Sequence, residues 1–301
     1  MKPPYYTPSA EAWVTRNPHA DDFVATIRCD IPKCLVAQLR THQRLVSPIA
    51  LSCQSSRAVP VARMLEQVPF YMPRFVVGAR GMVEGEALAD TGELEAEWLM
   101  AMDNARDSVR QILHLNSTVS KGQVNRLLEP FTLTRVVMTG TRRMWTDFFD
   151  LRCSEAAQSE MRMFAEAVRQ AISDAAAKAP KKLLHVPFSN SIVEAVTIAA
   201  QTSYRADKAC RDPERLFKQL AADRHWGPFE HVCFMLVPGH FEPDHRIQGR
   251  FVGEPVYPLR GFLDPKADWE GTRASCLSFF CSGAERDGFT GYELLPEVAG
   301  C

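Results

Sequence analysis

The sequence holds no C-x-x-C pair, no glycine-rich nucleotide loop and no long apolar run. Its nine cysteines (Cys29, Cys34, Cys53, Cys153, Cys210, Cys233, Cys276, Cys281 and Cys301) are odd in number and irregularly spaced. That argues against a secreted disulfide framework and a zinc ribbon, and points to reduced thiols in a cytosolic setting. The lack of G-x-G-x-x-G, G-x-x-x-x-G-K-[ST] and G-x-S-x-G removes the best signals for dinucleotide-binding, NTPase and α/β-hydrolase folds. No apolar stretch approaches the ~18 residues of a membrane span, so a soluble protein is expected. The opening MKPPYYTPSAEAW lacks the apolar core of a signal peptide. An excess of one charge is also missing, since 35 Lys and Arg face 36 Asp and Glu for a net charge of −1. This excludes the basic footprint of a general nucleic-acid binder. A small anionic ligand stays open, because it needs only a few placed arginines.

What is present is globular: 301 residues, 46% hydrophobic and 24% charged. Length alone suggests about two domains at roughly 150 residues each, or one large one. Residues 1–20 are polar and read as an arm. Phe23–Ile31 alternates and reads as a strand. Helical spacing follows at Leu35, Val36 and Leu39, then a Ser- and Pro-rich stretch, 47–60, reads as a loop. Short helical spacing covers 62–67. Residues 93–115 and 155–178 are strongly helical, and 122–128 and 132–150 are helical in part, interrupted at Pro130. Leu183–Phe188 is a linker or strand, and Ile192–Ala200 is helical. Asp212-Pro213 opens a further helix with a capping residue and a proline at its first position. His231–Val237 is a strand candidate, and 263–301 reads as an irregular tail.

Two polar clusters stand out. Arg40, His42, Arg44, Ser47, Ser52, Ser55, Ser56 and Arg57 combine planar cationic forks with hydroxyls, which suits a phosphate; a solvated loop is the alternative. His225-Trp226-Gly227-Pro228-Phe229-Glu230-His231 suggests a metal at first sight. Pro228 breaks the helix that would align the two histidines, and H-x5-H is not a zincin spacing, so no metal is expected. His240 and His245 lie among prolines and glycine in what reads as a turn. Cys53 has no placed base and reads as an ordinary thiol rather than a nucleophile.

Taken together, four segments resemble the flavin-dependent thymidylate synthases, particularly the phage-type members. His225–His231 resembles the family's H-x-[ST]-P-[FL]-E-H, with Gly227 at the Ser/Thr position. Ala199-Ala200-Gln201-Thr202-Ser203-Tyr204 resembles A-A-R-V-S-Y. Thr41-His42-Gln43-Arg44 with Ser55-Ser56-Arg57-Ala58-Val59-Pro60 resembles the phage form of the R-H-R signature. Asn125–Pro130 and Trp145–Arg152, followed by Gln158 and Glu160, resemble the C-terminal substrate region. In the usual order the first two segments precede the others. Here they follow, so the chain resembles a circular permutant.

The resemblance implies an α+β fold with helices on a central antiparallel or mixed sheet. It implies an arm (1–20), one permuted domain (21–262, with parts 21–185 and 186–262) and a tail (263–301). It also implies FAD, NADPH, methylenetetrahydrofolate and dUMP, a homotetramer with shared active sites, and a cytoplasmic setting in a bacterium or a phage-infected host. No contact with nucleic acid or membrane follows from it. The reaction implied is reductive methylation of dUMP to dTMP. By the same resemblance Arg57 and Arg126 clamp the nucleotide phosphate, with Ser55 and Ser56 beside it. Arg152 faces the pyrimidine. His42 and Arg44 contact the flavin, and His225 lies against folate or substrate. Ser203, Glu230 and Asp147 are further candidates near FAD or the nucleotide, and Arg152, Ser55 and His225 are the catalytic candidates. Departures from the signature keep two alternatives open: a dUMP or dCMP hydroxymethylase or dCMP methylase, and a non-catalytic nucleotide- or partner-binding homologue.

Overall fold

Residues 23–32 are rich in β-branched and small apolar side chains, and they form the central strand on which the rest is built. The computed structural model describes residues 3–18, 21–39, 49–66, 70–80, 83–182, 184–203, 212–223, 225, 227–235 and 255–256. β1 (Ala10–Arg16) and β2 (Phe23–Pro32) pair antiparallel. A 3-10 turn leads to the single-turn helix α1 (Val36–Leu39). Next come β3 (Ala50–Cys53), α2 (Val61–Glu66), a small ribbon of β4 (Val76–Gly78) and β5 (Glu84–Ala87), and the long helix α3 (Gly92–Leu115). α4 (Lys121–Val124) runs into a 3-10 segment, Asn125–Phe131, which feeds β6 (Leu133–Thr141). α5 (Arg142–Arg152) and α6 (Ser159–Ala176) follow. The remainder comprises β7 (Leu184–His185), α7 (Ile192–Ser203), α8 (Pro213–Ala222), a 3-10 turn at Gly227–His231, β8 (Cys233–Met235) and β9 (Pro255–Val256).

The main sheet has the order β1-β2-β6-β3, antiparallel throughout, and is the α+β architecture expected from the sequence. Three expectations need correction. Residues 10–16, read as part of an arm, are an edge strand registered against β2 from Ala10↔Cys29 to Arg16↔Phe23. Residues 50–53, read as loop, pair with β6. Residues 133–141, read as partly helical, are the strand β6; Val136, Val137 and Met138 are all buried because both faces of the sheet are covered. Such a strand loses the alternation that identifies half-exposed ones. The tail 263–301 lies outside the described residues. No helix among the described residues is long and apolar enough to cross a membrane.

Alternation on the strands sends two residue sets to two faces. Ala25, Ile27, Cys29, Val136, Met138 and Leu51 face α5 and α6, where Trp145, Phe148, Met161, Phe164 and Val168 complete the core. Thr141 caps α5 by accepting from the Met144 N–H at 3.2 Å, and the Trp145 indole donates to the Ala25 carbonyl at 3.1 Å. The opposite face carries Thr15, Thr26, Thr139 and Ser52, and is covered by the elements after residue 184.

Those elements hold their own apolar cluster, in which Val196, Leu216, Phe217, Leu220, Phe229 and Val232 are buried. They are joined to the sheet by a continuous polar chain. His185 Nδ1 meets Thr15 Oγ1 at 2.9 Å and His185 Nε2 meets Thr26 Oγ1 at 2.8 Å. Thr26 and Thr139, opposite one another across β2 and β6, are bonded at 2.6 Å. Thr139 Oγ1 then meets His231 Nδ1 at 2.8 Å, and His231 Nε2 meets Ser52 Oγ at 2.9 Å. Phe188 helps fix this block at the sheet edge. It adopts a left-handed backbone (φ 70°), which costs roughly 1–2 kcal/mol, and its ring packs edge-on to Trp13 at 4.5 Å.

Both imidazoles are fully buried, and desolvation holds each pKa down to about 3, with the neighbouring His231 adding to the effect on His185. Both are therefore neutral in the fold but take up a proton near pH 6.5 when unfolded. Their contribution is complete above that value and is lost as pH falls toward 3. Urea denaturation at pH 7.5 and pH 5 should show a loss of roughly 2 kcal/mol per histidine at the lower pH. Stability unchanged between the two would contradict it.

Candidate functional site

β2 ends, β3 ends and β6 begins at the same end of the sheet, so the segments flanking them gather there. At the β3 side the 55–58 turn closes through Ala58 N–H to the Ser55 carbonyl at 2.9 Å, while the Ser55 hydroxyl accepts from Arg57 N–H at 3.2 Å. Asn125, at the entry to the segment before β6, is completely buried. Its amide donates to the Ser56 and Val59 carbonyls at 2.8 and 2.9 Å. This pins the Ser55–Pro60 loop to the Asn125–Arg126 segment, two stretches brought together from about 70 residues apart. Its Oδ1 is buried with no hydrogen-bond partner.

Gly122, one turn earlier, makes room for Arg57. A Cβ there would stand 2.5 Å from Arg57 Cγ, so the arginine stem lies where a side chain would otherwise be. Arg57 and Arg126 are both exposed at this end, with the Ser55 side chain exposed and Ser56 buried. The structure thus joins the two segments that carry four of the predicted site residues, and cations and hydroxyls of these types suit a phosphate.

Arg152 stands at the last turn of α5, on the α5/α6 side of the sheet. Its guanidinium donates to the Gln38 carbonyl, and partial burial lowers its pKa. The Gln38 amide in turn donates to Gln158. Gln38 lies two residues before Arg40, so Arg152 is tied to the end of the chain segment that leads into the Arg40–Arg44 stretch. Beside it, Ser159 N–H donates to the Glu84 carboxylate at 2.6 Å and burial pushes the Glu160 carboxyl up. Asp147 lies half-buried on the same helix.

The 225–231 turn is on the other face. Its residues divide in two. Phe229 and His231 are completely buried, Phe229 against Phe217 with ring centroids 5.1 Å apart. His225 and Glu230 are half-buried, and the His225 N–H donates to the Leu220 carbonyl at 2.8 Å. Both His231 ring nitrogens are committed to hydroxyls, which leaves none for a metal. Among the described residues no group of three His, Cys, Asp or Glu is placed to hold one.

Within the chain, then, Arg152 and the 225–231 turn lie on opposite faces of the sheet. His42 and Arg44 lie outside the described residues, as does the side chain of Ser203. Sequence reasoning missed His185, Thr26, Thr139, Ser52 and Asn125 as organisers. Asn125 carried a signal in its place beside Arg126, and Ser52 in its place within the Arg- and Ser-rich stretch.

A family model described as "Thymidylate synthase complementing protein" matches residues 20–178. The chain belongs to this family. The match covers the strands β2, β3 and β6, the Arg57–Arg126 cluster and Arg152, and it ends before the 225–231 turn. Membership makes the chain a methyltransferase-type enzyme acting on pyrimidine nucleotides. A comparison with curated proteins finds no match. Among solved structures, the chain is similar to the crystal structure of a UMP/dUMP methylase, PolB from Streptomyces cacaoi, bound with 5-Br UMP. The TM-score is 0.38 and the identity 18%, over 51% of this chain and 69% of that one.

The Asn125 contact has a direct thermodynamic consequence. Asn125→Ala strips two buried carbonyls of their donor and should cost about 2–3 kcal/mol in urea denaturation. A loss below about 0.5 kcal/mol, the level of an ordinary surface substitution, would show that the loop is held some other way.

Proposed function

We propose that the protein transfers a one-carbon unit from methylenetetrahydrofolate to C5 of dUMP, forming dTMP with FAD as cofactor and NADPH as reductant. The observation that carries this reading is the Asn125 junction. It joins the Ser-Ser-Arg loop to the Asn-Arg segment inside the region that matches the family, and this supports a shared anion site for Arg57, Arg126 and Ser55.

Arg57 and Arg126 hold the phosphate of the nucleotide, with Ser55 and Ser56 filling the remaining acceptor sites. Arg152, half-buried and so weakly screened, faces the pyrimidine and stabilises negative charge developing on the ring, an effect of several kcal/mol in a dry site. His225 lies against folate or substrate. Half-buried Asp147 on one face of the sheet, and Glu230 and His225 on the other, are polar groups of the kind a flavin nucleotide would meet where two chains come together. They would hold FAD together with His42, Arg44 and Ser203. FAD, when bound, supplies the hydride chemistry that the protein's own groups cannot.

The placement of Arg152 and His225 on opposite sheet faces supports active sites assembled from more than one chain, in a homotetramer. The packing of the described elements after residue 184 on the sheet supports one permuted domain rather than two independent ones. The setting proposed is the cytoplasm.

The decisive experiment is the absorption spectrum of the purified protein with FAD, followed by reoxidation of its reduced form with dUMP and methylenetetrahydrofolate. Flavin bands, dUMP-dependent reoxidation and a product of dTMP mass are expected, with Arg152→Ala lowering turnover about 100-fold or more. A colourless protein that FAD does not reconstitute contradicts the reading. Turnover of dCMP, or a hydroxymethyl product, replaces it with the alternative C5 chemistry.

A further inference from the structure

Ser52 sits in β3 between the two stretches of the R-H-R-like motif, with His42 and Arg44 before it and Ser55–Arg57 after. Its side chain projects to the face away from the α5/α6 core. The hydroxyl is 2.9 Å from His231 Nε2, the last link of the buried polar chain. It also lies over Gly227: a Cβ on that glycine would stand 3.4 Å from Ser52 Oγ, an ordinary contact distance. The turn lacks a hydroxyl of its own at this position, and the strand brings one to the same place.

Two other anchors of the turn lie within its own block, one of them the His225 N–H bond to the Leu220 carbonyl at 2.8 Å. Phe229 is buried in the α7/α8 cluster, a non-directional contact. The His231 bonds are directional, one to Thr139 in the middle of the sheet and one to Ser52 in β3. Two directional bonds to two strands set the rotation of the imidazole, and with it the presentation of His225 and Glu230 a few residues earlier and one earlier in the same turn.

We propose that Ser52 is a positioning residue, whose hydroxyl locks the 225–231 turn onto β3 and so holds the two halves of the site in register. This rests on the site reading above. Ser52 touches no reacting atom; it acts through His231.

The test uses the full-length protein labelled with ¹⁵N-histidine. Ser52→Ala should shift the His231 ring nitrogen signals, since Nε2 loses its partner, and lower kcat/KM for the nucleotide about tenfold, the worth of one hydrogen bond. Ser52→Ala combined with Gly227→Ser returns a hydroxyl to the same space from the other side. It should restore the His231 signals and most of the lost kcat/KM. Unchanged His231 signals in Ser52→Ala, or a double variant no better than the single one, overturns the proposal. If Ser52→Ala does not fold, recovery of folding in the double variant supports it and continued failure overturns it. A wild-type protein that turns over no pyrimidine nucleotide defeats the functional reading instead, and the ring signals, which need no turnover, then decide Ser52 alone.

Discussion

A chain of hydroxyls and imidazoles, buried except at half-buried Ser52, Thr15–His185–Thr26–Thr139–His231–Ser52, binds the sheet to the described elements after residue 184. A hydroxyl carries one proton, so Thr26 and Thr139 can each donate to one neighbour only. With both protons used inside the chain, it runs in one direction from end to end. If Ser52 donates, both histidines carry their proton on Nδ1; if Thr15 donates, both carry it on Nε2. The two rings, although they belong to different elements, are thereby committed to the same tautomer. A buried network of this kind is stabilising only when every member is satisfied, which makes the docking of the second block specific rather than merely adhesive.

That docking sets where the candidate site residues stand. One face of the sheet is occupied by α5 and α6 with Arg152, the other by the 225–231 turn with His225 and Glu230. The end of the sheet is left for the Arg57–Arg126 cluster. Asn125 does at this end what the polar chain does across the face: it uses a buried side chain to join backbone segments distant in sequence. Gly122 contributes by absence, leaving the space that the Arg57 stem takes up.

Much of this was legible beforehand, for reasons particular to each element. α3 and α6 show three-to-four-residue spacing over many turns, and Asp212 caps α8 through the Arg215 N–H at 3.0 Å as its Asp-Pro opening indicates. β2 alternates in its second half, where Arg28 and Asp30 are half-buried between buried Ile27, Cys29 and Ile31. β6 does not alternate, since helices cover one face and the 186–232 block the other, so its continuous apolar run resembles a helix. β3, Ala-Leu-Ser-Cys, is four residues long and too short to show a period, and only its partner β6 makes it a strand. β1 hides its role behind prolines and charge at the sheet edge. The four motifs showed which residues to watch, but spacing could not show that Arg152 and His225 stand on different faces. It also could not show that His231 is a structural ring, because both facts depend on which side of the sheet each later element packs.

The most direct measurement of the central claim is a double-mutant cycle on Thr26→Val and Thr139→Val, followed by urea denaturation at neutral pH. If the hydroxyls form one continuous chain, the two losses are coupled and the double variant departs from additivity by about 1 kcal/mol or more. Additive losses would mean that the two threonines are satisfied independently, and that the polar links on either side of them do not form one continuous chain.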